Sequence, residues 1–491
     1  MTASKPVRVR FAPSPTGHFH LGGGRTALYN YLLARQQRGQ FILRIEDTDR
    51  KRFDPQAEEE MVESLHWLGI RWDEGPDVGG PHAPYRQSER TEIYKTRAEE
   101  LIRSGHAYYC FCSPKRLAQV RQEQQSRKEP PRYDRLCRQL SPGEAESRVE
   151  TGESHVVRFK TPLEGTTTAV DFLRGEISVE NATLDDYILL KSDGLPVYHL
   201  AAMVDDHLMG ITHVFRGSEW LPTFPLHVMI YQAFGWEQPV WVHLSVFLNP
   251  SGKGKMSKRQ AGVKGIYISE LRDEGYLPEA LVNWIALMGW SYDDHTEYFS
   301  MQDLIEKFSL EKLNPSPAAV NYGKLDHFNG LHIRALPIAE LSERIRPYFE
   351  AEGYEVDEDR LQAITAIIQE RIRTLDEAVL MAGFFFRQDV EVKAEELVGK
   401  KMDAAQSAEA AQAALETIES IAAFKVEPLE EKLRALADSL GLKVGQLFGI
   451  LRIAVTGQKV SPPLIESMVI IGKETVEVRI RQAVSLLKGM E

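Results

Sequence analysis

Residues 7–24 read VRVRFAPSPTGHFHLGGG. Apolar and basic residues alternate over the first part, Val7 to Phe11, and a period of two is typical of a β-strand. The apolar residues Leu28, Leu32 and Leu33 then follow the spacing of one helix face. We therefore expect the glycines at 22–24 to lie at a strand-to-helix turn. Such a turn binds phosphate, because the N–H groups at a helix N-terminus carry positive partial charge and glycine allows a nucleotide to approach closely.

A second motif, Lys255-Met-Ser-Lys-Arg259, adds fixed positive charges far along the chain. By itself it is equally compatible with a solvated basic loop. Together with the glycine-rich segment, it predicts a site that holds ATP while the bond between the α- and β-phosphates is broken.

The two motifs resemble the two signatures of class I aminoacyl-tRNA synthetases. The string RFAPSPTGHFHLGGGRTALYN at residues 10–30 is similar to the version found in glutamyl-tRNA synthetases. The resemblance covers essentially the whole chain. Further stretches that match this family are RIEDTD (44–49), YRQSER (85–90), YHL (198–200), DDH (205–207) and KLDHFN (324–329).

The composition limits the classes of function. A chain of 491 residues is too long for one hydrophobic core and predicts three to four domains. The net charge of −12 argues against a protein that coats nucleic acid nonspecifically. A contact with RNA must therefore use a locally basic surface, such as residues 115–138, where eight basic residues stand against three acidic ones.

The sequence also predicts where the protein works. The N-terminus has no apolar signal core, and no apolar stretch approaches the ~18 residues needed to cross a bilayer. Three cysteines cannot all pair in disulfide bonds, which is expected of a protein from a reducing compartment. We expect a cytoplasmic protein that does not contact a membrane and acts as a monomer.

The pattern of elements predicts an α/β fold with a Rossmann-type catalytic domain in two halves, 1–105 and 191–259. The first half alternates strand and helix patterns, including a helix that begins near Asp54-Pro55, as expected of a parallel sheet. We expect residues 106–190 to form an inserted domain and the sheet to resume near Tyr187, residues 260–335 to form a linker domain, and residues 336–491 to be helical, as in the run Leu429 to Leu440 before the C-capping Gly441. The family resemblance implies that the inserted domain binds the acceptor end of the tRNA, the linker domain contacts its stem and the helical domains bind its anticodon.

Attack of a carboxylate on the α-phosphate of ATP requires cations and hydrogen-bond donors at the phosphates, because negative charge builds on the leaving pyrophosphate. We expect His20 and Lys258 to be the catalytic residues, with Mg²⁺ as the family resemblance implies. An alternative role for His20 is that of a helix cap. The predicted ATP-binding residues are His20, Gly22, Gly23, Lys255, Met256, Ser257 and Lys258.

A substrate with a side-chain carboxylate calls for arginine, which binds carboxylate in a bidentate way that lysine cannot match. The resemblance implies Arg10 and Arg216, with Glu46 on the α-amino group; a surface ion pair is the alternative for Arg216. Some relatives carry Asn where this chain has Ala202, so one hydrogen bond to the substrate is absent or replaced. The predicted glutamate-binding residues are Arg10, Ala12, Ser14, Glu46, Tyr198 and Arg216.

The three cysteines lie at Cys110, Cys112 and Cys137, a spacing compatible with a tetrahedral zinc knuckle. Some zinc-bearing relatives use Tyr or a His two residues past the last Cys as the fourth ligand. That second position is Gln139 here, so Tyr133 is the candidate. We expect one structural Zn²⁺, with three reduced cysteines and no metal as the alternative.

Reading of an anticodon requires splayed bases that are hydrogen-bonded on their edges. The resemblance implies that Arg371, Arg452 and Leu464 contact the anticodon, although Arg452 is also compatible with an ordinary helix-surface arginine. Arg371 stands where family members that discriminate between tRNA(Glu) and tRNA(Gln) carry an arginine.

The resemblance implies a glutamate–tRNA ligase, which converts glutamate and ATP to glutamyl adenylate once tRNA(Glu) is bound and passes it to the 3′ end of the tRNA. One alternative is a non-discriminating enzyme that also charges tRNA(Gln). A more distant one is a non-catalytic, regulatory RNA-binding protein on the same fold. His20, Lys258 and Arg216 disfavour the latter.

Overall fold

A computed structural model describes residues 5–256 and 265–490. The chain divides into two compact units. Unit 1 comprises the described residues of Met1–Leu271 and Leu281–Tyr322, and unit 2 comprises those of Arg272–Ala280 and Gly323–Glu491.

The strands found in the described residues all lie in unit 1. They are β1 (Arg8–Phe11), β2 (Gln40–Leu43), β3 (Ala107–Cys110), β4 (Val156–Phe159), β5 (Thr166–Asp171), β6 (Gly175–Glu180), β7 (Ile188–Leu190), β8 (His213–Gly217), β9 (Val240–Leu244), β10 (Phe247–Leu248) and β11 (Ala318–Ala319).

The helices up to residue 307 are α1 (Leu21–Gln36), α2 (Pro55–Trp67), α3 (Thr91–Arg103), α4 (Pro114–Ser126), α5 (Pro142–Glu150), α6 (Tyr198–Leu208), α7 (Phe224–Phe234), α8 (Ile268–Asp273), α9 (Pro278–Leu287) and α10 (Met301–Lys307). Those that follow are α11 (Tyr322–Ala335), α12 (Ile338–Ala351), α13 (Glu358–Ile368), α14 (Glu377–Ala382), α15 (Ala394–Leu397), α16 (Ala404–Glu419), α17 (Val426–Ser439), α18 (Val444–Thr456), α19 (Leu464–Ile471) and α20 (Lys473–Lys488). Short 3-10 helices lie at Gln87–Glu89, Leu136–Gln139, Asn181–Thr183, Ser218–Thr223, Leu310–Lys312 and Gly383–Phe386.

A six-stranded sheet in the order β2-β1-β8-β9-β5-β6 forms the centre of unit 1. The first five strands in this order run parallel, and β6 pairs antiparallel with β5 at the edge. The strands of this sheet bury apolar residues, as Val9, Ile42 and Val242 illustrate. The predicted α/β fold with a parallel sheet is confirmed.

The sheet differs from the sequence expectation in how it is completed. The β5–β6 hairpin falls inside the stretch assigned to the insertion, yet β5 pairs with β9 in the central sheet. Strand β7, where the central sheet was expected to resume, instead joins β3 and β4 in a separate three-stranded sheet. Both assignments depend on pairing between distant segments, which hydrophobic periodicity does not encode.

Unit 2 is helical, as predicted for the C-terminal third. Its core collects the buried faces of α12 to α20. In α17, Leu429 and Leu433 are buried, and the helix stops before Gly441, whose φ of 67° is the left-handed conformation typical of a helix end. In the part of the chain that the structure describes, no helix combines the length and apolarity that a membrane span requires.

Candidate active site

An open cleft of about 1430 Å³ lies in unit 1 at the carboxyl ends of the parallel strands. Its walls are segments that leave these strands: 10–23 from β1, 46–52 after β2, 215–220 from β8 and 245–247 after β9. Ligands of open α/β sheets bind at this end, where the loops converge. The cleft is therefore the candidate active site.

His20 is the N-cap residue of α1. Its Nδ1 accepts a hydrogen bond of 3.1 Å from the backbone N–H of Gly23. An imidazole nitrogen that accepts carries no proton, so the neutral ring carries its proton on Nε2. The cap fixes the tautomer in which Nε2 is a donor, which is the form that suits a phosphate oxygen. The capping role and the predicted phosphate-binding role are thus compatible.

The sequence predicted that the glycines lie in the turn between strand and helix. In the structure α1 begins at Leu21, so the glycines lie within the first turn of the helix itself. A Cβ on Gly22 would lie 3.1 Å from Cε1 and Nδ1 of His20. A Cβ on Gly23 would lie 2.7 Å from Cε2 of Phe19. These glycines therefore make room for protein side chains that shape the cleft, a role that depends on packing.

The second motif begins at the same cleft. Lys255 and Met256 both line it, together with His20, Gly22 and Gly23. The backbone N–H of Met256 donates to the carbonyl of Phe247 in β10 at 2.9 Å, which ties the segment to the cleft wall. The predicted ATP-binding residues Ser257 and Lys258 lie outside the described residues.

Arg10 is held by Asp206 at the base of the cleft. Its Nε donates to Oδ1 at 2.8 Å and its Nη2 to Oδ2 at 3.2 Å, while Nη1 donates to the carbonyl of Phe215 at 3.1 Å. Burial opposes ionisation of Asp206, but the charges of Arg10 and Arg44 outweigh burial and lower its pKa. One edge of the Arg10 guanidinium is thus occupied by protein, and only its remaining Nη hydrogens can reach a substrate.

The ion pair of Arg10 belongs to a larger buried network. Its carboxylates share arginines: Asp206 accepts from both Arg10 and Arg44, and Asp205 accepts from Arg90 at 2.8 Å. The charges balance, so the network needs no outside ion. The members are Arg10, Arg44, Arg90, Glu46, Asp205 and Asp206.

Arg216 is not part of this charge-balanced network. Its side chain is 5% exposed, and Nε donates to Nε2 of His243 at 2.9 Å. Both Nη1 and Nη2 are buried without a hydrogen-bond partner among the described residues, although Arg216 lines the cleft. Burial lowers the pKa of its guanidinium, while Tyr198 and Asp206 favour the charged form. A surface ion pair is therefore the wrong interpretation of Arg216. The arrangement leaves a buried positive charge for an anion to match.

The remaining predicted substrate-binding residues also reach the cleft. Glu46 is buried beside Arg44, whose Nη2 donates to Oε1 at 3.0 Å; burial raises the pKa of Glu46 and Arg44 opposes the rise. Tyr198 stacks on Trp220 with ring centroids 3.8 Å apart, and burial raises its pKa. Ala202 is fully buried in α6 and does not line the cleft. The cleft is lined by Ala12, Ser14, Glu46 and Tyr198.

Residue-level reasoning from the sequence did not assign a role to Asp206, Trp220 or His243. Asp205-Asp206 appeared only in a stretch that matches the family. Two adjacent acids inside the apolar run of α6 were a usable signal, because buried carboxylates need cationic partners. His243 carried no such signal, since its partners come from other strands.

The three cysteines converge in the inserted segment. Their Sγ atoms lie within 4.8 Å of one another, and Oη of Tyr133 lies 3.3 Å from Sγ of Cys110 and 3.5 Å from Sγ of Cys112. A tetrahedral zinc site with Zn–S bonds of about 2.3 Å places its sulfurs about 3.8 Å apart. Cys112 and Cys137 have their sulfurs 3.5 Å apart, so the donors fit a Zn²⁺ ion.

Cations surround these donors. Nη1 of Arg116 donates to Sγ of Cys112 at 3.4 Å, and the Arg158 guanidinium lies 4.1 Å from the Tyr133 ring centroid. Positive charge favours the thiolate, which is the form of cysteine that binds zinc. Burial and the hydrogen bonds with Cys110 and Cys112 instead raise the pKa of Tyr133. Hydrogen bonds from Cys137 and Tyr133 lower the pKa of Cys110.

Only part of the basic segment is available to a partner. Arg116 pairs with Asp134, and Arg138 pairs with the buried Asp186. Three of its cations are exposed and form no ion pair among the described residues: Lys115, Arg121 and Lys128.

In unit 2, the predicted anticodon-binding residues differ in exposure. Arg371 is exposed in the turn after α13 and has no ion pair in residues 5–256 and 265–490. Arg452 is half-buried, and its Nη1 donates to Oγ of Ser461 at 2.6 Å. Burial and the nearby charge of Arg371 lower the pKa of Arg452, so the two guanidinium groups are neighbours. Leu464 is only 3% exposed, so its side chain packs in the helical core, which leaves its backbone for an RNA contact.

Comparisons with known proteins agree with the cleft and the helical unit. A family model for class I tRNA synthetases (E and Q), catalytic domain, matches residues 6–327, and an anticodon binding domain model matches residues 340–484. The chain is 47% identical over 489 residues to a glutamate--tRNA ligase of Dehalococcoides mccartyi, covering 99% of each protein. It is 46% identical to the glutamate--tRNA ligase of Roseiflexus castenholzii, covering 98% of this chain and 97% of that one.

A solved structure of a glutamate tRNA ligase from Elizabethkingia meningosepticum, in complex with its amino acid, has a TM-score of 0.90 and 38% identity, covering 98% of this chain and 99% of that one. The chain belongs to the family of class I tRNA synthetases for glutamate and glutamine.

Proposed function

We propose that this enzyme is a glutamate–tRNA ligase that activates L-glutamate with ATP and transfers it to the 3′ end of tRNA(Glu). The observation that carries the proposal is the unmatched charge of Arg216 in the cleft. Of the other buried arginines that line the cleft, Arg10 pairs with Asp206, and Arg25 donates to the backbone carbonyls of Met288 and Ser245. A substrate carboxylate would complete the balance, whereas the neutral amide of glutamine would not.

The ends of the substrate follow from the residues around Arg216. Arg216 and the remaining Nη hydrogens of Arg10 are proposed to bind the side-chain carboxylate, with Ala12 and Ser14 lining the pocket. Glu46 keeps one oxygen beyond its bond to Arg44 and is proposed to accept from the α-amino group. Tyr198 would close the pocket by its stack on Trp220.

ATP is proposed to bind across the N-terminus of α1. Gly22 is proposed to offer its helix N–H group to the phosphates and Gly23 to line the same side of the cleft, its own N–H being bonded to His20. Nε2 of His20 and Nζ of Lys255 can donate to the phosphate oxygens. Lys258 is proposed to neutralise the charge that develops on pyrophosphate, and Met256 and Ser257 to shape the adenine side. Mg²⁺ accompanies ATP and neutralises phosphate charge.

The tRNA is proposed to contact two places. Exposed cations of the inserted segment suit the phosphates of the acceptor end. Arg371 and Arg452 suit the anticodon, and the exposed, unpaired Arg371 favours an enzyme that discriminates against tRNA(Gln). We propose that the enzyme works as a monomer in the cytoplasm, because its substrates and a reducing environment are found there.

A structural zinc ion is proposed for the inserted segment, with Cys110, Cys112, Cys137 and Tyr133 as ligands. Four protein ligands leave no open coordination position, so the ion would stabilise the fold and take no part in the reaction.

The proposal is tested by charging purified tRNA(Glu) and tRNA(Gln) side by side with labelled glutamate. We expect tRNA(Glu) to be charged and tRNA(Gln) to be charged far less. Equal charging of both would replace the discriminating enzyme by a non-discriminating one. Binding of tRNA without any charging would favour a non-catalytic RNA-binding protein and contradict the proposal.

A further inference from the structure

Nε of Arg216 donates to Nε2 of His243 at 2.9 Å, and Tyr198 lies close enough to the guanidinium to favour its charged form. The guanidinium also lies 4.8 Å from the ring centroid of Trp241 and 5.6 Å from that of Phe224. These contacts hold the guanidinium on one edge and across its faces. The two Nη groups, which form the fork that binds a carboxylate, have no hydrogen-bond partner among the described residues.

His243 can accept from Arg216 in only one tautomer. Its Nδ1 lies 2.7 Å from Oδ2 of Asp171. An ionised carboxylate only accepts, so Nδ1 carries the proton and Nε2 presents a lone pair. Nε of Arg216 is always a donor, and a proton on Nε2 would place two N–H groups against each other. The Asp171 contact therefore selects the tautomer that Arg216 requires.

Asp171 is itself fixed. Its Oδ1 accepts from the backbone N–H groups of Leu173 and Arg174, both at 3.1 Å, and its Oδ2 also accepts from the backbone N–H of His243 at 3.0 Å. Asp171 is the last residue of β5 and pairs with Trp241 in β9. The pair Asp171–His243 is almost completely buried, at 1% and 0% exposure.

The neutral ring has an electrostatic consequence. Burial lowers the pKa of His243, and the nearby charge of Arg216 lowers it further, while Asp171 opposes the shift. A carboxylate in direct contact with Arg216 would match its charge, as Asp206 matches Arg10. The imidazole instead orients Arg216 and keeps the Asp171 carboxylate one ring away.

We propose that Asp171 and His243 are positioning residues that hold the Arg216 fork open toward the side-chain carboxylate of the substrate. This inference rests on the proposed function, because it names the groups that prepare Arg216 for glutamate. It gives the β5–β6 hairpin a role in amino-acid selection.

The test compares two replacements of His243 in the full-length protein. His243→Gln keeps an acceptor near Nε2, because Oε1 of glutamine can take its place. His243→Leu keeps the apolar bulk and removes the acceptor. His213→Leu is the matched control, since this residue lies in the neighbouring strand β8, bonds to Thr212 and does not line the cleft.

Steady-state ATP–pyrophosphate exchange with tRNA present gives the KM for glutamate, the KM for ATP and kcat. We expect His243→Leu to raise the KM for glutamate by about 10- to 100-fold, the range for a displaced binding group, with the KM for ATP within a factor of about 3. His243→Gln should recover most of the loss, and His213→Leu should leave all three constants near their starting values. Asp171→Asn should raise the KM for glutamate as well, because one amide cannot accept hydrogen bonds on both of its sides.

The inference is overturned if His243→Leu leaves the KM for glutamate unchanged, or if it raises the KM values for glutamate and ATP equally. It is also overturned if His243→Gln is as impaired as His243→Leu while thermal melting shows both variants folded. Absence of glutamate-dependent exchange in the unaltered protein would contradict the proposed function and the inference together, and so is distinguishable from these outcomes.

Discussion

The replacement Arg216→Met separates a substrate-binding arginine from a structural one. Methionine keeps much of the apolar stem and removes the charge, which lies over the Trp241 ring. Arg216 is 5% exposed, and burial lowers the pKa of its guanidinium, so the folded protein disfavours its charge. Removing the charge should therefore leave the melting temperature unchanged or raise it.

Activity should respond in the opposite direction. Without Arg216, the buried carboxylate of glutamate would keep only Arg10, whose charge Asp206 already matches, and breaking a buried pair costs about 3–5 kcal/mol. At about 1.4 kcal/mol per tenfold change, kcat/KM for glutamate should fall by about 10² to 10⁴. Any weak use of glutamine should fall much less, since its amide has no charge to match.

Arg10→Met is the matched control. Arg10 is equally buried, but its loss would leave Asp206 with one arginine fewer. We expect a clear drop in melting temperature for Arg10→Met and none for Arg216→Met, measured by calorimetry beside ATP–pyrophosphate exchange. The reasoning is refuted if both variants melt equally early, or if Arg216→Met loses glutamate and glutamine use by the same factor.

Three further predictions address other parts of the chain. Unchelated protein should contain close to one equivalent of zinc, and Cys137→Ser should lose it and weaken binding of the tRNA acceptor end; metal analysis that finds no zinc in the unaltered protein would contradict the site. Arg371→Gly should weaken discrimination between tRNA(Glu) and tRNA(Gln) by ~1–3 kcal/mol, the value of one base contact, whereas Arg373→Gly, whose guanidinium pairs with Glu377 at 2.9 Å, should not; equal charging of both tRNAs by the unaltered protein would contradict this. The melting temperature should fall as the pH is lowered from 7.5 to 5.5, because the unfolded chain takes up protons below about pH 6.5 at histidines whose pKa is lowered by burial in the folded state; an unchanged or higher value at pH 5.5 would be contrary to this account. These histidines include His199, with a pKa of about 4, and His213, His227 and His243.

Local signals in the sequence predicted local structure well. Asp54-Pro55 predicted the start of α2, and Oδ1 of Asp54 caps this helix by accepting from the N–H of Gln56. The alternation in residues 7–11 predicted β1. These signals succeed because a cap or a strand face is determined by residues a few positions apart.

Pairing between distant segments was not predictable in the same way. The β5–β6 hairpin lies at an edge of the central sheet because Asp171 pairs with Trp241, a partner far along the chain. The roles of Gly22 and Gly23 depend on which side chains pack against them. Leu464 shows the limit of a resemblance, which implied an anticodon contact without the information that its side chain is buried.

In the candidate site, too, residues within local motifs were predicted and residues that depend on distant contacts were not. The predicted cleft residues of the described chain converge, because most of them lie at or just after the carboxyl end of a strand and belong to a recognisable motif. The residues that orient the cleft arginines were not predicted. Asp206 and His243 acquire this role only because the fold brings distant strands and helices together. A sequence therefore identifies groups that touch a substrate more readily than groups that orient them.

The most direct test of the central claim, that the unmatched charge of Arg216 selects a carboxylate, is amino-acid-dependent ATP–pyrophosphate exchange with tRNA(Glu) present. Glutamate and glutamine would be compared at matched concentrations in the unaltered protein. The account predicts exchange with glutamate and a kcat/KM for glutamine lower by at least about 10², because the amide leaves a buried arginine unpaired. Comparable exchange with both amino acids would contradict it.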